Sequence, residues 1–199
     1  PLLYEYPKKS SAQVLIEGFT NGFRLGYSGD RFSRESPNLK SISDNPQAAY
    51  DKINKEVKLK RIAGPFIYKP FPNLIVSPIG LVPKSEPGKF RLIQHLSHPQ
   101  GSSVNNGIDR SLCNVHYTNF DDAVKLVVGA GRGALMAKTD IESAFRLLPV
   151  HPSDFHLLGM KLDNLFYVDK SLPMGASCSP ALFETFSTFL EWVAKKEIG

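Results

Sequence analysis

Ala137-Lys138-Thr139-Asp140-Ile141-Glu142-Ser143-Ala144-Phe145 is a strand-like run that delivers a carboxylate and, five residues on, an aromatic ring. With Ala134-Leu135-Met136 ahead of it, the segment reads as a core strand ending at Asp140. A carboxylate in that position sits on a rigid element and opens beyond the strand edge. A hard cation such as Mg²⁺ takes oxygen donors there, and Asp140 with the Ile141 carbonyl would supply them. An Asp between a strand and a short helix also serves as an N-cap, so this residue alone leaves both readings open. Glu142 shares a face with Asp140 only if the strand continues, and reads as structural.

Downstream, Phe155–Met160 and Leu165–Val168 read as two strands joined by a turn at Asp163-Asn164. The glycine-centred turn Leu172-Pro173-Met174-Gly175 follows, and beyond Pro180 the spacing of Leu182, Phe183, Phe186, Phe189, Leu190 and Val193 predicts a helix with an apolar core face. Upstream, Ile79–Val82 and Phe90–Ile93 read as strands of a β-hairpin around Lys84-Ser85-Glu86-Pro87-Gly88-Lys89. Lys84 and Arg91 flank that turn. Cations so placed could neutralise a triphosphate, or simply solvate the tip and protect an edge strand.

The remaining elements are simpler. Ser10 to Gln13 reads as a capping pattern for a short helix ending at Asn21-Gly22, and residues 25–45 read as a loop. Asn45 with Pro46 starts a helix placing Ala49, Ile53 and Val57 on one face, with Asp51/Lys55 and Glu56/Lys60 pairs on its surface. Residues 64–73 read as an extended, proline-rich connection leading to a strand at Leu74–Val76, and residues 97–119 as loop. Asp121-Asp122 opens a helix carrying Ala123, Val124, Leu126 and Val127. Gly129, Gly131 and Gly133 follow that helix and precede a strand, the wrong order for a dinucleotide or P-loop cradle.

A chain of 199 residues with 42% hydrophobic and 22% charged residues can bury a sizeable core. Its net charge of +5 favours polyanionic partners without requiring them. Cys113 and Cys178 lie far apart and outside any metal-ligand spacing, so neither a disulfide scaffold nor a zinc module is indicated, and an intracellular setting, cytoplasm or nucleus, is the natural reading. No apolar run is long enough to span a membrane. The chain begins at Pro1 and ends after a helical segment, and reads as an excerpt of a longer polypeptide.

Four segments, in order, resemble the fingers and palm motifs of retroelement reverse transcriptases: Val76–Lys84, Lys89–Ile93, Asp140–Phe145 and Leu172–Pro180. Arg91-Leu92-Ile93-Gln94-His95-Leu96-Ser97-His98-Pro99 and Ser143–Val150 are most similar to the DIRS-type retrotransposons, which pair the polymerase with a tyrosine recombinase. The resemblance implies an α+β fold: right-hand fingers and a partial palm, with an antiparallel sheet backed by helices. Its expected division is an N-terminal helical extension over residues 1–60, a fingers-like region over 61–132 and a partial palm over 133–199.

Residue by residue, the resemblance makes Asp140 the first metal-binding carboxylate, with the Ile141 carbonyl beside it. Lys84 and Arg91 would grip the incoming triphosphate, and Ser143 and Ala144 would offer backbone N–H groups to it. Phe145 would lie under the sugar and disfavour a 2′-hydroxyl. Gly175 would pass close to the nascent base pair, with Met174 where many relatives carry Phe or Gln. The implied partners are deoxynucleoside triphosphates and an RNA or DNA template with primer, and the implied cofactor is a pair of Mg²⁺ ions in the complete enzyme.

Tyr167-Val168-Asp169-Lys170 resembles the family's Tyr-x-Asp-Asp hairpin, but it precedes the Leu172-Pro173 motif and has Lys170 at the second Asp. It reads as a strand end, with the true hairpin expected beyond Gly199 and the isolated chain catalytically incomplete. The rival expectation is a non-catalytic nucleic-acid-binding or interaction module derived from such an element.

Overall fold

A computed structural model describes residues 1–115, 117–137 and 140–198. In chain order the elements are helices α1 (Leu2–Glu5) and α2 (Lys9–Asn21), strand β1 (Arg34–Glu35), and helices α3 (Lys40–Asp44) and α4 (Pro46–Lys58). Strands β2 (Ile62–Phe66), β3 (Ile75–Val76), β4 (Ile79–Pro83) and β5 (Phe90–Gln94) follow, then helix α5 (Phe120–Ala130). Strands β6 (Gly159–Leu162) and β7 (Leu165–Asp169) and helix α6 (Ser179–Ile198) complete the order.

The sheet is five-stranded in the order β1-β3-β6-β7-β2, and β4 and β5 form a separate hairpin. β1/β3 and β3/β6 run parallel while β6/β7 and β7/β2 run antiparallel, so the sheet is mixed rather than the antiparallel one expected. Asp163, at φ 52°, makes the expected β6–β7 turn. A loop was expected over 25–45, yet Arg34-Glu35 and Lys40–Asp44 are ordered because β1 adds to the edge of β3 and Ile42 is buried.

Side-chain burial explains the layers. Leu15, Phe23 and Leu25 from the N-terminal segment share one core with Leu148, Val150, Leu157, Leu158 and Leu172, against which Phe145, Phe183, Phe186 and Phe189 pack. Ala49 and Ile53 of α4 share a second with Ile79, Leu81, Met160, Leu162 and Tyr167. Neither expected N-cap bond forms: α2 begins after Lys8 with no capping side chain, and the Asn45 amide donates to the Ser41 carbonyl at 3.3 Å. Glu56 pairs not with Lys60 but with Arg61 and Arg146.

One expected strand is shifted and another does not form where it is described: of Phe155–Met160 only Gly159 and Met160 lie in a strand, β6. Phe155–Leu157 instead belongs to a 3₁₀ turn, Pro152–Leu157, capped where the Ser153 N–H donates to His151 Nδ1 at 3.1 Å. Asp154 pins this turn: its side chain is 0% exposed and accepts from Arg24 Nε at 2.9 Å and the Leu25 N–H at 3.0 Å, with Arg31 Nη2 at 3.5 Å. The run from Ala134 to Asp140 is also not a strand where it is described, Lys138 and Thr139 lying outside the described residues. A strand exists by hydrogen bonding to a neighbour, and none of the described residues pairs with this segment. Leu135 is 99% exposed as a result. No residue of α5 is buried either, although Asn119 and Asp122 form a reciprocal capping box at its start.

Burial opposes the Asp154 charge, but Arg24, the Leu25 N–H and Arg31 outweigh it and hold its pKa below the ordinary carboxylate value. Burial, and then Arg31, depress His156 in turn. Both groups therefore bind protons more tightly when unfolded. Stability should be full above pH ~6.5, fall as His156 is forced to protonate, and fall again below pH ~4 as Asp154 does. Thermal unfolding from pH 8 to pH 3 checks this, and Asp154→Asn should flatten the lower of the two declines.

No helix among the described residues is long and apolar enough to cross a membrane.

Candidate nucleotide site

The hairpin register sets which cations share a face. Val82 pairs with Arg91 and Pro83 with Phe90, and the Lys84 N–H donates to the Lys89 carbonyl at 2.8 Å. Side chains alternate along a strand, so Lys84, Lys89 and Arg91 project from one face while Leu81, Phe90 and Leu92 turn to the core. Lys84 and Arg91 are exposed, and Lys89 is paired with Glu86.

Gly175 is packed against the inner end of that hairpin. A Cβ at this position would collide with the Gln94 carbonyl oxygen, so only glycine lets the turn approach β5 this closely. Asn105 holds the turn from the other side: its Nδ2 donates to the Gly175 carbonyl at 2.9 Å and to Ser97 Oγ at 2.8 Å, and its Oδ1 accepts from the Ser177 N–H at 3.0 Å. Ser179 Oγ donates to the Pro173 carbonyl at 2.6 Å and closes the turn onto α6. Met174 projects outward, 52% exposed. Asn105 was not singled out in the sequence, because an Asn in a loop of several Asn and Ser residues carries no distinguishing signal. Gly175→Ala should lose about 1–3 kcal/mol through overpacking, measurable by urea unfolding.

Asp140 is exposed, as is Glu142. After Asp140 the chain turns: Ser143 adopts φ 58°, the Ala144 N–H donates to the Ile141 carbonyl at 3.3 Å, and Ala144–Leu147 forms a 3₁₀ turn. The Ala144 N–H is thus engaged within the chain, with the Ile141 carbonyl as its acceptor. Phe145 is half-buried, its ring meeting Phe183 of α6 at 5.4 Å and 63°. Because α6 starts at the end of the Gly175 turn, Phe145 and Gly175 are tied to the same element.

Beneath the turn lies a charged cluster with no counterpart in the motifs. Arg146 Nη1 donates to Asp169 Oδ2 at 2.6 Å and to the Ser171 carbonyl at 3.1 Å, and Nε donates to Glu56 Oε2 at 3.1 Å. The Arg146 side chain is 13% exposed and Asp169 is 5% exposed. Burial works against the Arg146 charge, but Asp169 and Glu56 more than offset this and raise its pKa. Burial pushes the Asp169 carboxyl up against the pull of Arg146 and the Ser171 N–H. Asp169 is thus the end of β7, as expected, and turned into an internal ion pair.

The oxygen donors at Asp140 and Ile141 have the right chemistry for Mg²⁺ but form an incomplete set. Among the described residues no three His, Cys, Asp or Glu side chains converge as a metal site. Two ions held a few ångströms apart need more carboxylate than Asp140 provides.

No protein-family model matches the chain, and no curated protein matches it. Solved structures do. The chain is similar to the foamy viral protease–reverse transcriptase in complex with double-stranded DNA, with a TM-score of 0.55, 18% identity, and coverage of 92% of this chain and 32% of that one. The likeness is one of fold, to part of a reverse transcriptase. The prototype foamy virus protease–reverse transcriptase gives a TM-score of 0.53 at 19% identity, covering 82% of this chain and 20% of the other. A selenomethionine-labelled mutant of that protein gives 0.56 at 17% identity, covering 94% and 25%. The chain thus spans about a third or less of the length of these three solved chains.

Proposed function

We propose that this chain is the nucleotide-binding part of an RNA-directed DNA polymerase, of the DIRS-type retrotransposon group by its motif wording. The observation that carries the reading is a reverse-transcriptase fold in which the Gly175 turn packs against the strand bearing Arg91. In this reading residues 61–132 act as fingers and 133–199 as part of the palm, with residues 1–60 as an extension.

Lys84 and Arg91 bind the triphosphate by charge-assisted contacts, Arg91 in bidentate fashion. The Gly175 turn borders the base pair and Phe145 walls the sugar against a 2′-hydroxyl. Asp140 and the Ile141 carbonyl would help to hold Mg²⁺, which would supply charge neutralisation on the phosphates. Template and primer bind through the positive surface in a salt-sensitive manner. The 199-residue chain should not extend a primer, since its described residues hold only part of the metal site.

Equilibrium binding of Mg·dATP and Mg·ATP tests the pocket. The wild type should prefer dATP by about tenfold or more, a difference of one small group in an apolar pocket being worth about 1–3 kcal/mol, and Phe145→Ala should bring the two affinities together. Equal affinities in the wild type would refute the role of Phe145. The incomplete metal set favours one second reading, a non-catalytic nucleic-acid-binding module. In that case recessed template–primer binds, but Mg·dATP does not.

A further inference from the structure

We propose that Arg146 is the positioning residue of the sugar pocket, holding Phe145 in place from behind without touching the nucleotide; this rests on the reading of Phe145 given above. Arg146 and Phe145 are consecutive in one 3₁₀ turn. The ring lies against Phe183, and the guanidinium reaches three other anchors: Asp169 at the end of β7, the Ser171 carbonyl, and Glu56 on α4. Asp169 belongs to the sheet, Ser171 follows it by two residues and Glu56 lies on a helix that shares a core with the sheet, so the turn is fastened to the rigid part of the fold.

The fastening has something to resist. Ser143, immediately before the turn, adopts a left-handed φ of 58°, a conformation unfavourable for a residue with a Cβ. Its carbonyl accepts the Arg146 N–H at 2.7 Å, so strained residue and anchor are directly bonded. A single 3₁₀ turn has poor hydrogen-bond geometry and little stability of its own. Two carboxylates and a carbonyl arranged around a planar fork supply directional restraint that a lysine, with its compact charge, cannot reproduce. Arg61, with Nη1 3.9 Å from Glu56 Oε1, braces the far carboxylate.

The test uses Arg146→Lys, which keeps the charge, and the charge-matched pair Arg146→Gln/Asp169→Asn, which leaves no carboxylate without its cation at that contact. Both are compared with wild type by hydrogen exchange of the 144–148 amides and by the Mg·dATP to Mg·ATP affinity ratio. Exchange should accelerate by about tenfold or more in that segment, as expected when a local anchor is lost, while α2 and α6 stay protected. The affinity ratio should fall towards one, with dATP affinity itself changed by about threefold or less because Lys84 and Arg91 are untouched. A wild type that discriminates, with variants that remain folded and keep both ratio and exchange unchanged, overturns the role of Arg146 alone. A wild type that binds both sugars equally overturns the reading of Phe145, and this inference with it.

Discussion

Arg146→Met should destabilise the fold by about 3–5 kcal/mol, the cost typical of removing one partner from a buried ion pair. At roughly 2–4 °C per kcal/mol for a chain of this size, the midpoint of thermal unfolding should fall by some 6–20 °C. The cause is the carboxylate left behind: Asp169 is buried, and without the guanidinium at 2.6 Å its charge has only the Ser171 N–H at 3.1 Å. Adding Asp169→Asn and Glu56→Gln should recover most of the loss, because a neutral, well-packed set avoids the desolvation that makes the half-pair costly. A drop below about 1 kcal/mol for Arg146→Met, the range of exposed ion pairs, would mean that the cluster is solvated in solution.

The second large effect concerns binding. Lys84→Ala/Arg91→Ala should weaken Mg·dATP by about 100-fold or more, since charge-assisted bonds contribute about 1.5–3 kcal/mol each and 1.4 kcal/mol is tenfold. Both residues are exposed on the same hairpin face, so their removal should leave the fold intact. Lys89 shares that face but is paired with Glu86, and Lys89→Ala should cost less than either. Fluorescence titration at two salt concentrations checks the order and the electrostatic origin. Equal loss for all three would point to diffuse charge rather than a defined grip.

Local signals were legible where they coincided with burial. The 3.6-residue spacing of Ala49, Ile53 and Val57 and the Phe stripe of α6 were read correctly because each packs one face on a core. The Lys84–Lys89 hairpin and the Asp163 turn carry their own chemistry and needed no tertiary information. Ala134–Asp140 has strand composition, but composition cannot supply a pairing partner, and among the described residues there is none. Phe155–Leu157 forms a turn ahead of β6 because Asp154, anchored by Arg24 and Leu25 from far along the chain, stabilises a conformation that local propensity does not reveal. Glu56, Arg146 and Asp169 likewise meet only through the fold. At the candidate site, the cations and Gly175 are proposed from motifs, whereas the contacts that Asn105 and Arg146 make behind them carry no sequence signal.

The central claim is that the hairpin face and the Gly175 turn border one deoxynucleotide pocket. Photocrosslinking of the 199-residue chain with 8-azido-dATP in Mg²⁺, followed by peptide mass spectrometry, tests it most directly. The account predicts adducts within residues 84–94 and 172–177, suppressed by excess dATP more effectively than by ATP. Adducts spread over other surfaces, or competed equally by both nucleotides, would contradict it.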